Sequence, residues 1–191
     1  MPVTTLDPTT AVIVIDLQTG IVALDTQPHT AADVVARAVQ LIDGFRARGL
    51  PVALVNVNAQ PPGRTEVPPL IEGELPEEWT HLVDALGTHP DDILVTKRSR
   101  GAFATTDLEE RLRERGVTQV VVCGIATSVG VESTVREAHE RGFHVTLATD
   151  AATDSDAAAH AHSLTHVHPR ISETGTTAEI LALLDRVPDR H

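Results

Sequence analysis

The chain has 191 residues, 41% of them apolar, and a formal net charge of −12. That length suits one domain spanning 1–191 with a sizeable core, and the acidic balance argues against nucleic acid, whose phosphates need basic residues. No apolar run is of membrane-spanning length, the first eight residues lack the basic and apolar regions of a signal peptide, and the single cysteine excludes an intrachain disulfide, so a cytoplasmic location is expected.

Ala11-Val-Ile-Val-Ile15 is apolar throughout, as in a strand covered on both faces, and it ends at Asp16. From about Thr30 to Arg48, Val34, Val35, Ala38, Leu41, Ile42 and Phe45 recur at helical spacing, and Gly49 ends the helix. Pro51 to Val57 reads as the second strand. Residues 59–76 are rich in Pro, Gly and Glu without periodicity and read as a long functional loop. A short helix from Glu77 to Leu86 carries Trp79. Asp92-Ile-Leu-Val-Thr96 is the third strand, ending at Lys97.

Thr106 is placed to cap a helix over 107–115, with Leu108 and Leu112 inward. Val120, Val121 and Val122 form a buried strand, followed by a tight turn at Gly124. Val131, Thr134, Val135 and Ala138 then mark a helix to about Arg141. Phe143 to Ala148 is the next strand, ending at Thr149-Asp150. A helix from Ser155 to about Val167, a short edge strand at 170–172 and a helix from Thr176 to Leu184 complete the chain. The alternation predicts an α/β fold, a parallel sheet between two helical layers in a three-layer α/β/α sandwich with right-handed crossovers.

In open sheets of this kind, ligands sit beyond the carboxyl ends of the strands. Asp16 and Lys97 stand there. An acid ending an apolar strand is costly to bury unless it is paired or working; the plainer readings are a helix cap or a carboxylate on a structural lysine, and for Lys97 an ordinary surface lysine. The helix after Gly124 brings its free N–H groups to the same edge. Ser128 lies near that N-terminus without a visible base to activate it, which favours capping or binding. Cys123 is within the strand and reads as a buried inert thiol. Arg98 and Arg100 suit either a bidentate hold on an anionic substrate or plain solvation. His160, His162, His166 and His168 contain one i, i+4 pair, 162 and 166, a possible metal pair; two ligands without a third leave a solvated helix face as the reading.

The stretch Gly124-Ile-Ala-Thr127-Ser-Val-Gly130-Val131, with Asp16-Leu-Gln18 and Lys97 ahead of Gly101-Ala-Phe103, resembles the signature of the isochorismatase-like hydrolases. The likeness runs from Val12 to about Leu184. It implies a Rossmann-like sheet of six strands in the order 3-2-1-4-5-6 and a homo-oligomer, a dimer or larger. In the family's amidases an Asp takes the thiol proton, a Lys stabilises charge, and a Cys attacks the carbonyl. The motif there reads Gly-x-x-Thr-x-x-Cys-Val, so the position of the family Cys is Gly130 here. The resemblance thus assigns Asp16, Lys97 and Gly130 to the catalytic centre. It assigns Gln18, Phe103, Ala126, Thr127 and Ser128 to substrate binding. It also implies a non-proline cis peptide between Ile125 and Ala126, turning the N–H groups of Ala126 and Gly130 into the pocket.

Isochorismatases proper resemble this chain in having Gly at that position, and they hydrolyse a vinyl ether, which needs an acid rather than a nucleophile. Gln60-Pro-Pro-Gly63 resembles their Ala-Gln-Pro-Gly stretch, whereas Ala126-Thr127-Ser128 departs from their Tyr-Ala-His. The Asp-x-His…His metal site of the nicotinamidases has no counterpart in Asn56-Val-Asn-Ala-Gln-Pro61, so neither metal nor cofactor is expected. Three functions remain open at this level: hydrolysis of a small carboxylated vinyl ether through Asp16, a fold kept for binding or assembly without turnover, and an amidase with an unrecognised nucleophile.

Overall fold

The computed structural model describes residues 2–67 and 75–187. Six parallel strands form one sheet: β1 (Thr10–Ile15), β2 (Val52–Val57), β3 (Ile93–Lys97), β4 (Gln119–Ile125), β5 (His144–Thr153) and β6 (Glu173–Gly175), in the order β3-β2-β1-β4-β5-β6. The order reverses between β1 and β4, so the carboxyl ends of those two strands open a crevice.

Strand alternation divides the core in two. Val12 and Val14 of β1 and Val121 and Cys123 of β4 point to the layer holding α2 (Ala31–Ala47) and α7 (Thr177–Leu184), against Val34, Leu41, Phe45, Ile180 and Leu184. Ile13 and Ile15, with Val120 and Val122, point to the layer of α4 (Leu108–Glu114) and α5 (Glu132–Glu140), against Leu108, Leu112, Val135 and Ala138. Each buried aliphatic side chain contributes about 1.5–3 kcal/mol, which is why the two central strands tolerate no polar residue between Ala11 and Ile15 or Val120 and Cys123.

Several boundaries differ from the pattern reading. The Trp79 helix is only Glu77–Thr80, α3 in chain order, after a short α1 at Thr19–Val22. Beyond it the chain runs extended, because Gln18 pairs with Leu82 and the Val83 N–H donates to Leu17 O, before one 3₁₀ turn at Asp84–Leu86. Thr106 is not the cap residue of α4, which is Asp107, although the Thr106 hydroxyl oxygen accepts the Leu108 N–H at 3.2 Å. The edge strand is not at 170–172, where Pro169 holds a 3₁₀ turn, but at Glu173–Gly175. Helix α6 (Ala157–His162) is capped by Asp156 rather than Ser155, and passes into a π-helical turn at Ser163–Val167. The middle of the 59–76 loop, 68–74, lies outside the described residues. Among those described, no helix is long and apolar enough to cross a membrane.

Candidate active site

β1 ends by turning Asp16 into left-handed backbone, φ 56°. Aspartate is one of the few side chains that tolerate this conformation, and it tips the carboxyl out of the strand direction into the crevice. Lys97, the last residue of β3, reaches across the end of β2 and donates from Nζ to Asp16 Oδ2 at 2.9 Å and to Ser99 O at 3.1 Å. Asp16 is 4% exposed and Lys97 2%. Asp16 Oδ1 is buried without a hydrogen-bond partner. Burial raises the Asp16 carboxyl to about 6, and the opposing pull of the Lys97 ammonium does not cancel it. Desolvation therefore wins the contest between the two effects, leaving an acid poised near neutrality with one oxygen uncommitted.

Gly130 completes the floor. It sits in a π-helical turn, Thr127–Val131, that joins β4 to α5, and its φ is not left-handed. A Cβ built on it falls 2.9 Å from Asp16 Oδ2 and 3.2 Å from Ile15 Cγ2. A side chain at 130 thus points directly at the acid, and one larger than hydrogen makes the carboxylate give way by a few tenths of an ångström. The peptide between Ile125 and Ala126 is cis. The turn begins there rather than at Gly124, which stays within β4.

Around this centre lies a cavity of about 240 Å³. Ile21, Val57, Leu75, Trp79, Ile125 and Val129 give it apolar walls, while Asp16, Lys97, Asp25, Ser99, Arg100 and Ser155 supply polar groups. Trp79 forms its wall because Gly20 of α1 has no side chain: a Cβ there falls 1.8 Å from the indole. Arg100 is exposed and has no hydrogen bond or ion pair among the described residues.

Of the residues singled out in the sequence, Asp16, Lys97, Gly130 and Ala126 line this cavity together, as do Gln60 and Arg100. Gln18, Phe103, Thr127 and Ser128 do not, and each is occupied elsewhere. Gln18 Oε1 accepts the Val57 N–H at 2.8 Å and its Nε2 donates to Val57 O and Trp79 O at 3.0 and 3.1 Å, so it pins the Trp79 wall to β2. Phe103 is packed in the α4–α5 layer against Phe143, with Arg141 over its ring. The Thr127 hydroxyl bonds His160 Nδ1 at 2.9 Å, and Ser128 gives both its N–H and its hydroxyl to Asp154. Asp25 carried no signal in the sequence, Leu75 fell within the 59–76 stretch read as a functional loop without being singled out, and Ser155 was read only as a helix start. Trp79, the only tryptophan in the chain, was the one flag available for that wall.

Cys123 faces the α2–α7 layer, and burial, then the Asp150 charge, push its thiol up to about 12. The histidines divide: His162 and His166 are exposed neighbours with ring centroids 5.0 Å apart, whereas His160 and His168 are buried. The reading of all four as a solvated face is corrected for these two. Burial lowers His160, and lowers His168 to about 4, holding both rings neutral. Among the described residues, no group of three or more His, Cys, Asp or Glu is placed to hold a metal ion.

An acid and a lysine are joined beside the topological switch point of a parallel sheet, over an apolar cavity, the place where open α/β folds hold their ligands. Residues 10–179 match the isochorismatase domain, and the chain belongs to the isochorismatase family of hydrolases. It is 45% identical over 181 residues to YecD, an uncharacterized isochorismatase family protein of Escherichia coli O157:H7, covering 92% of this chain and 96% of that one. It is 40% identical over 178 residues to the uncharacterized isochorismatase family protein YwoC of Bacillus subtilis strain 168, covering 90% and 92%. An isochorismatase family protein from Burkholderia thailandensis has the same fold, with a TM-score of 0.91 and 43% identity over 95% of this chain and 98% of that one.

Proposed function

We propose that the site hydrolyses a small carboxylated substrate of the vinyl-ether type, with Asp16 as general acid and without a covalent intermediate. The observation that carries this reading is the Asp16 carboxyl: buried, raised to about 6, one oxygen on Lys97 and the other unpartnered beside the cavity. A proton on that free oxygen has no partner within the protein and is available to a substrate. The resemblance aligns Gly130 with the nucleophile of the family's amidases, a glycine there offers no side chain to attack with, and Cys123 is on the other face of the sheet with its thiol held protonated.

The chemistry follows. Asp16 transfers its proton to the methylene carbon of the enol ether, which becomes a methyl group, and the adjacent carbon becomes an oxocarbenium ion. Water adds to that carbon and returns a proton to the Asp16 carboxylate. The resulting hemiketal collapses to an alcohol and pyruvate. Lys97 fixes the carboxyl and keeps its pKa from climbing further, and Arg100 at the cavity mouth supplies a charge for a substrate carboxylate. The apolar walls limit competing water.

Incubation with isochorismate, following pyruvate release, beside a panel of small amides tests this directly. Pyruvate is expected, with the amides unchanged and iodoacetamide without effect. Amide hydrolysis abolished by iodoacetamide would instead mark a cysteine amidase, and no turnover of either set would favour a binding or assembly protein. Lys97→Gln provides a second check. Because the Lys97 charge lowers the Asp16 pKa, its loss is expected to move the falling limb of kcat/KM above about 6, whatever the loss in rate. A limb that stays put or moves down contradicts the pairing as described.

A further inference from the structure

Asp154 lies behind the cavity, 2% exposed, and among the described residues it has no ion pair. Burying a carboxylate without a cation is costly unless hydrogen bonds satisfy it. Here Oδ2 accepts the Ser128 N–H and the Ser128 hydroxyl, both at 2.7 Å, and Oδ1 accepts the Ser155 N–H at 2.8 Å and its hydroxyl at 3.4 Å. The backbone of the same residue exchanges two bonds with Gln27, Gln27 N–H to Asp154 O at 2.7 Å and Asp154 N–H to Gln27 O at 3.0 Å. Three parts of the cavity wall therefore meet at one residue: the turn carrying Val129 and Gly130, the segment carrying Asp25 and Thr26, and Ser155. A carboxylate, which only accepts, suits donors arriving at both of its oxygens, while the link from Ser128 to the Gln27 segment itself needs one side-chain acceptor and the backbone pair.

We propose that Asp154 is a positioning residue for the acid: it clamps the Thr127–Val131 turn to the segment that includes Gln27, seating Gly130 over Asp16 and keeping water from that carboxylate. The proposal rests on the reading of Asp16 as the working acid. Its physical content is that the desolvation of Asp16 is maintained from a distance. Gly130 is the cover, since a Cβ there falls only 2.9 Å from Asp16 Oδ2. Ser128, two residues earlier, is the handle by which the turn is held. Freed from Asp154, the turn backs away, water reaches Asp16, and the burial that raises its pKa weakens. The charged groups facing Asp16 are Lys97, in direct contact, and Asp25 and Arg100 on the same cavity; the Asp154 charge is not among the causes of the Asp16 shift.

The test is the titration of Asp16 in the whole chain, followed by the carbon-13 signal of labelled aspartate side chains and assigned by its loss in Asp16→Asn. The wild-type midpoint is expected near 6. In Asp154→Ala it falls towards the ordinary 3.8, whereas Asp154→Asn, which keeps an acceptor for Ser128, shifts it by no more than about half a unit. Asp154→Ser gives the same fall as the alanine variant and replaces it if that variant does not fold. A midpoint that stays near 6 in the alanine or serine variant overturns the clamp while leaving the reading of Asp16 intact. Equal falls in the asparagine and alanine variants overturn it as well, since the effect is then one of charge. A wild-type midpoint in the ordinary carboxylate range removes the reading of Asp16 itself, and the clamp with it.

Discussion

Asp16→Asn is expected to lower kcat/KM for a vinyl-ether substrate by about 10²–10⁴-fold, the range that a positioned general acid contributes, with the variant still folded. The amide has the shape of the protonated carboxyl and sits in the same place, but it has no proton to give to carbon. Its effect therefore separates chemistry from packing, which a change to alanine does not. Lys97 loses its anionic partner but keeps the Ser99 carbonyl and a side-chain amide oxygen in reach of Nζ. Circular dichroism confirms the fold, and pyruvate release measures the loss. Activity within about threefold of wild type, less than about 0.7 kcal/mol of barrier, contradicts the role given to Asp16.

The second large effect is on the scaffold. Gly124 pairs with Ile15 in the β1–β4 ladder with a φ of +127°, and a Cβ there falls 2.0 Å from the Ile15 carbonyl oxygen and 2.8 Å from Ile15 N and C. Those are backbone atoms of the central strand, with no rotamer to change. Gly124→Ala must displace β1, and with it Asp16, the next residue. A loss of more than about 4 kcal/mol is expected, a large share of the roughly 5–15 kcal/mol that holds a domain folded. Urea denaturation measures it, and a loss below about 1 kcal/mol contradicts the tight approach of β1 and β4 at this point.

Most of the sheet was legible because strands buried in its interior leave continuous apolar runs; β3, an edge strand exposed on one face at Leu94 and Thr96, still showed itself through Ile93-Leu-Val95, and Asp16 and Lys97 stood out as the charges that ended two strands. What was lost is where tertiary bonds overrule local pattern. β5 continues through Thr149-Asp150, which reads as a stop, because the Asp150 carboxylate is satisfied by Arg37 and by the Thr177 N–H and hydroxyl. The sequence also offered Ser128 to the substrate, since nothing in a one-dimensional reading reveals that Asp154, 26 residues later, takes both its donors. The same holds for Gln18, whose amide is spent on β2 and the Trp79 backbone. The two buried histidines were hidden by their exposed neighbours, because α6 passes into a π-helical turn and the spacing that assigns faces changes there.

The central claim is that Asp16 works protonated. The measurement that addresses it most directly is kcat/KM for isochorismate hydrolysis against pH, which reports the free enzyme. Since the Asp16 pKa is raised to about 6, the acid form predominates below that value and is lost above it. The rate is therefore predicted to be highest below about 6 and to fall roughly tenfold per unit as pH rises beyond it. A rate that rises with pH through the same range would contradict the account, because it would show Asp16 acting as a base.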